Sequence, residues 1–222
     1  MEKIKSVIAI DNGFLPVIER QFCIKGKEYK VIKQDRTSFT IESEVADDHL
    51  FFMNNKHFKL IYEKVFRTKV ISAFPACGKT YFYKNKQDDF EGILDSDSSD
   101  FSWVKDEDGK NTEERNPDFP NNYIQHIKEN IGKVEIIFVS SHKVVRDALK
   151  ENDIDYNLIY PRKDQKEDWM RRFINRGNNE NFVNFISKNW DSFIDDMDED
   201  DYPLKIELPY YNHNYIDNIM IF

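Results

Sequence analysis

The stretch Ala73-Phe74-Pro75-Ala76-Cys77-Gly78-Lys79-Thr80 limits what this chain can fold into more than any other part of it. The apolar residues 70–73 read as a strand, and the residues after Thr80 read as a helix. Between them lies a turn holding a glycine, a lysine and a threonine in succession. The pattern fits a loop that cradles phosphate, with Ala73 where the first glycine usually stands. Each residue type has a chemical reason. Gly78 lets the backbone approach an anion with no side chain in the way. A helix starting there turns the positive end of its dipole toward that anion. Lys79 would reach the β- and γ-phosphates, and Thr80 would ligate Mg2+. Ala73 is tolerable in its place if its φ is negative. Cys77 reads as a packing thiol, although a helix start is where a thiol pKa falls and oxidation becomes easy. The alternative is a plain strand-to-helix turn.

The pattern around this turn is that of an α/β domain. Strand-like runs fall at 70–73, just before 95, at 134–139, at 156–160 and at 204–208. Helical stretches fall between them, at 122–130, 142–151, 165–176 and 180–196. In the last of these Phe182, Val183, Ile186, Trp190, Phe193 and Ile194 recur at helical spacing. Strands alternating with helices predict a parallel sheet with right-handed crossovers. The first third differs: β-prone pieces at 30–32, 38–41 and 50–52 are separated by polar turns, which suggests a small barrel or meander. We therefore divide the chain into a small β-rich module, 1–64, and an α/β domain, 65–222. The stretch Gly26-Lys27-Glu28-Tyr29-Lys30-Val31-Ile32 with Ser38-Phe39-Thr40-Ile41 resembles a Src-homology-3-like β-barrel over about residues 12–62. Such a module serves packing or dimerisation, or it recruits a protein or nucleic-acid partner.

Composition narrows the classes. Of 222 residues, 40 % are hydrophobic and 14 % aromatic, enough for a core, so a disordered chain is excluded. No apolar run approaches the ~18–20 residues of a membrane helix, so no membrane partner is expected. The first eleven residues lack the basic start, apolar stretch and cleavage site of a secretory leader. Two distant cysteines, Cys23 and Cys77, predict a reduced, cytoplasmic setting without structural zinc. The net charge is −9; residues 1–66 hold 11 bases and 10 acids, a net of +1, which leaves −10 for the rest. An acidic α/β domain argues against long nucleic acid as the main partner. Residues 105–116 read as a mobile polar loop, and 195–201, with six acids in seven positions, as a solvated helix end.

Four stretches give residues 67–222 a resemblance to a family. They are the loop 73–80, then Leu94-Asp95-Ser96-Asp97-Ser98-Ser99, then Phe138-Val139-Ser140-Ser141-His142, and finally Tyr160-Pro161-Arg162-Lys163 followed by a basic helix with Arg171-Arg172 and Arg176-Gly177. Together they resemble the P-loop nucleoside and nucleotide kinases, particularly the compact deoxynucleoside monophosphate kinase-like proteins of bacteriophages. Only the first is specific by itself; the others gain weight from their order at strand ends, where open α/β sheets bind ligands.

The resemblance implies a P-loop kinase-type parallel sheet flanked by helices, with ATP and Mg2+ as cofactors and loop residues 73–80 around the nucleotide. It implies that Asp95 positions the acceptor hydroxyl or holds Mg2+ through water, with Asp97 beside it; the alternative for both is a cap or turn. Arg172 and Arg176, four apart and so on one helical face, would close as a lid over the transferred phosphoryl group, unless they simply face solvent paired with Glu167 and Asp168. Arg162, Arg171, Ser141 and Arg115 are further substrate-binding candidates, Arg115 for an acceptor phosphate. Two departures count: the first loop glycine is missing, and no Walker B strand ends in Asp, because Val139 runs into Ser140. The expected activity is γ-phosphoryl transfer to a nucleotide, a deoxynucleoside monophosphate first. The rivals are a kinase acting on a hydroxyl of nucleic acid, held by the N-terminal module, and a non-catalytic nucleotide-binding protein.

Overall fold

The structure, a computed structural model, describes residues 2–15, 20–36, 38–44, 49–52, 56–209 and 215–219. The chain forms two units, Met1–Val65 and Phe66–Phe222. The first holds β1 (Glu2–Ala9), β2 (Gly13–Leu15), β3 (Arg20–Cys23), β4 (Glu28–Gln34), β5 (Phe39–Glu42), β6 (His49–Phe52) and β7 (Phe58–Lys64). Five of them pair antiparallel in the order β6-β5-β4-β1-β7, and β2 pairs with β3. Among the described residues no pairing joins β6 to β7, so the ladder is an open meander with β1 laid beside β4. Alternation puts one side chain in two on the core face. Val7, Tyr29, Phe39, Ile41 and Phe58 meet there, with Cys23 buried among them.

The second unit is a mixed α/β domain. Its elements are β8 (Lys69–Ala73), α1 (Lys79–Asn85), β9 (Ile93–Asp95), α2 (Ser99–Ser102), β10 (Trp103–Lys105), β11 (Asn111–Arg115), α3 (Asn121–Asn130), β12 (Ile136–Ser140), α4 (Lys143–Glu151), β13 (Tyr156–Pro161), α5 (Lys166–Asn175), α6 (Glu180–Asp198) and β14 (Leu204–Leu208). The five parallel strands run in the order β14-β13-β8-β12-β9. Strands β8, β12 and β13 are nearly continuous apolar runs because helices cover both faces of a parallel sheet. Right-handed crossovers put the outward step β8–α1–β9 on one face and the return steps through α3 and α4 on the other; α3 indeed packs on α4. Register aligns Ala73 with Ser140 and Ile159, and Phe138 with Asp95. The turns leaving β8, β12 and β9 therefore converge at one end of the sheet, where the reversal of strand order opens a crevice.

Two expectations are corrected. The polar stretch 105–116 is a hairpin, not a mobile loop: β10 pairs with β11, Trp103 opposite Arg115. Asp106 makes the turn, its carboxylate accepting from the N–H groups of Asp108 and Lys110 at 3.0 and 2.8 Å. Such an Asp turn needs no apolar pattern, which is why composition hides it. The acidic run 195–201 is not simply solvated either. Arg146, 2 % exposed on the buried stripe of α4, forms ion pairs with Asp196 and Asp200. Tyr160 donates to Asp198 and Tyr156 to Asp200, each at 3.0 Å.

Candidate functional site

The turn after β8 folds as it does because of two left-handed residues. Ala73 ends the strand, outside the positive-φ region, while Ala76 has φ 66° and Gly78 φ 101°. A Cβ on Gly78 would lie 3.2 Å from the Tyr215 ring, so close approach and backbone both require glycine. Ala76 has no such excuse, and alanine in that region costs about 1 kcal/mol. Ala76→Gly is therefore expected to raise stability by about 0.5 kcal/mol after the entropy of the unfolded glycine is subtracted. A higher urea midpoint at unchanged slope is the readout; a lower midpoint would contradict the left-handed assignment.

Lys79 and Thr80 open α1. The Lys79 ammonium is mostly enclosed and donates to the Ala73 carbonyl at 2.5 Å. Burial lowers its pKa, countered in part by charge on Cys77, Asp95 and Asp97. Thr80 Oγ1 donates to Asp95 at 2.9 Å, across the one strand, β12, that separates β8 from β9. Asp97, one step on, accepts from the Ser99 N–H at 2.9 Å, a turn-making role at the start of α2. Ser96 between them is buried, and its hydroxyl has no hydrogen-bond partner among the described residues. Tyr123 joins the two strand ends: its hydroxyl donates to Ser96 C=O at 2.7 Å and accepts from Ser140 N–H at 3.3 Å. Burial first of all pushes that phenol pKa well up, so it stays a neutral donor. Cys77 is fully enclosed, as a packing thiol is, and burial pushes its thiol up to about 12, against the alternative of a lowered pKa at the helix start.

Helix α5 forms the opposite wall. Trp169 and Phe173, one turn apart, are wholly buried and pack on Trp190 and Phe182 of α6. Trp169 donates its indole N–H to Pro75 C=O at 3.0 Å, and Arg172 donates to Ala76 C=O at 3.3 Å. This helix is thus tied to the loop by two side-chain hydrogen bonds. The Arg172 guanidinium carbon lies over two rings, 3.9 Å from the Trp169 centroid and 4.1 Å from the Tyr215 centroid. Arg176 also lines the cleft, and Gly177, with φ 77°, ends the helix behind it.

The cleft enclosed by these groups measures about 660 Å3. Of the sequence candidates it brings together the loop residues 73–80, Asp95, Asp97, Ser141, Arg172 and Arg176. Three others stand elsewhere. Arg171 is exposed and paired with Asp168; Arg162 meets Asp164 and Glu207 beyond β13. Arg115 lies over the Trp103 ring at 3.8 Å and lines a neighbouring cavity of about 840 Å3. That cavity is walled by Phe119, Phe182, Phe185 and Phe193 and shares His142 with the first. His142 keeps over a third of its surface open, yet the protein packed around its ring, and then the Lys79 charge, lower its pKa. Its Nδ1 meets Ser140 Oγ at 3.0 Å.

Sequence reading missed Tyr215 and Trp169. Nothing local marks Tyr215, but a tryptophan three residues before an arginine on one helix face is a recurrent way to hold a guanidinium flat. The class that fold and site define is a mixed α/β protein with a cationic cleft at the strand ends of a parallel sheet. No family model matches the chain, and no curated protein matches it either. Among the described residues no three His, Cys, Asp or Glu side chains converge as a metal cage, and no helix is long and apolar enough to cross a membrane.

Proposed function

We propose that the chain is an ATP- and Mg2+-dependent phosphotransferase of the P-loop kinase type, acting on a nucleotide, with a deoxynucleoside monophosphate as the acceptor to try first. One observation carries the reading: Lys79, Thr80 bonded to Asp95, and Arg172 with Arg176 face one cleft from three separate elements. The donor set suits a polyphosphate. It offers an ammonium, two guanidiniums, the Ser96 hydroxyl, which has no partner among the described residues, and the first amides of α1, which precede the Phe82 N–H bond back to Gly78. The volume lies in the range of small-ligand clefts, roughly 300–1,000 Å3.

Mg2+ would neutralise charge between the phosphates, held by Thr80 Oγ1 and, through water, by Asp95; few protein ligands suffice, because this ion keeps waters and leans on substrate phosphates. Lys79 would bind the β- and γ-oxygens and stabilise the charge that spreads over the transferred group. Arg172, held against its two rings, is pre-oriented and loses little freedom on binding. The neighbouring cavity would seat the acceptor ring among its phenylalanines, with Arg115, which has no ion pair among the described residues, at its phosphate.

The test is transfer of label from γ-labelled ATP with Mg2+ to pooled deoxynucleoside monophosphates, and separately to 5′-hydroxyl oligonucleotides, with Lys79→Ala as control. Label on a mononucleotide, lost in the control, is the expected result. Label on the oligonucleotide alone would replace the acceptor, and nucleotide binding without transfer to either would replace the enzyme by a binding protein.

A further inference from the structure

Tyr215 belongs to a short segment that follows β14 far along the chain and lies against the phosphate turn. The segment is anchored: Ile216 donates its N–H to Cys77 C=O at 3.0 Å and its side chain is fully buried. Tyr215 itself remains 40 % exposed and lines the cleft. The Arg172 guanidinium lies over one face of its ring and over the Trp169 ring as well. Indole, guanidinium and phenol are therefore grouped at the cleft, and the phenol is the exposed member of the group. A buried aromatic needs no functional account, but a ring left this exposed beside a cationic cleft does. The underlying guanidinium occupies its inner face, so any planar ligand must approach from the outer one.

We infer that Tyr215 is the stacking platform for the base of the bound nucleotide; this rests on the proposed phosphate-loop reading. The loop holds the polyphosphate end whatever base it carries. Tyr215 adds affinity for a flat, π-faced ring, and it discriminates weakly between purines because stacking reads a face and not an edge.

Calorimetric titration of the full chain with ADP and with inorganic tripolyphosphate, both with Mg2+, separates the two ends of the ligand. Tyr215→Leu keeps apolar bulk over Gly78 and removes the ring; Tyr215→Phe keeps the ring. The expected result is ADP binding weakened about 10–100-fold in Tyr215→Leu, which is the range of one lost base stack. Tripolyphosphate binding stays within about twofold, and Tyr215→Phe stays close to the parent for both ligands. Unchanged ADP affinity in Tyr215→Leu overturns the inference. So does a parallel loss of both ligands, which would show that Tyr215 only supports the loop. If the parent chain binds neither ligand, the phosphate-loop reading fails, and the platform with it.

Discussion

Lys79→Ala is expected to lower phosphoryl transfer by about 10²–10³-fold, the usual loss when one pre-placed donor to developing charge is removed from an enclosed site. The folded protein should not suffer. Lys79 spends its ammonium on a single carbonyl, that of Ala73, in surroundings that lower its pKa through burial. A charge held against such a penalty is strain kept for a ligand, and removing it relieves the unliganded fold. The sign of the pH dependence follows. Between the lowered folded pKa and the ordinary lysine value of about 10.4, the unfolded chain binds a proton that the folded chain does not. Stability therefore rises with pH through that window. The buried Cys77 thiol, held up at about 12, contributes the opposite slope, but it is present in both proteins and largely cancels in their difference. Urea midpoints across the alkaline range should then show a rise in the parent that Lys79→Ala lacks. Transfer retained within about tenfold in this variant would mean that Lys79 lies away from the transferred group.

What could be read along the chain, and what could not, divides by distance. Gly78, Lys79 and Thr80 are adjacent, and few other chemistries use that succession after an apolar strand. Strands β8, β12 and β13 are legible because both of their faces are buried, so the apolar run is nearly continuous. Helix α6 is legible because Ile186, Trp190 and Ile194 keep a period of four. The hairpin 103–115 is made by hydrogen bonds to Asp106 and by a cation on a ring, neither of which leaves a hydrophobic pattern. Tyr215 meets Gly78 and Arg172 only in three dimensions. The basic helix carrying Arg172 could be placed, but its tie to the loop rests on the bond from Trp169 to Pro75, between residues 94 apart. Arg146 did leave a signal. It sits among Val145, Ala148 and Leu149, on the stripe of α4 that must be buried, and a charge there requires partners elsewhere. The six acids of 195–201 were the place to look for them.

Arg146→Met is expected to destabilise the second unit strongly. The guanidinium, 2 % exposed, joins Asp196 and Asp200 and also donates to Ser141 C=O at 3.2 Å. Methionine fills much of the volume and leaves two carboxylates facing one another beneath Tyr156. Breaking a buried pair from one side costs about 3–5 kcal/mol, because the remaining charge is desolvated and uncompensated. In a unit of this size that lowers the melting temperature by roughly 8–15 °C. The two acids should not count equally. The Asp200 side chain is 13 % exposed and Asp196 34 %, so water can rescue Asp196 but not Asp200. Adding Asp200→Asn to Arg146→Met should therefore recover more stability than adding Asp196→Asn, and a double-mutant cycle isolates that difference. Arg146→Lys should recover little, since one ammonium cannot serve two carboxylates and a carbonyl in fork geometry. Nearly parent-like melting of Arg146→Met would instead place these pairs with exposed surface bridges, each worth under about 1 kcal/mol. The consequence reaches the cleft, because Ser141 precedes His142 at the end of β12. With the carbonyl released, the turn that places His142 between the two cavities loses its tie to α6, and transfer should fall even below the temperature at which the unit melts.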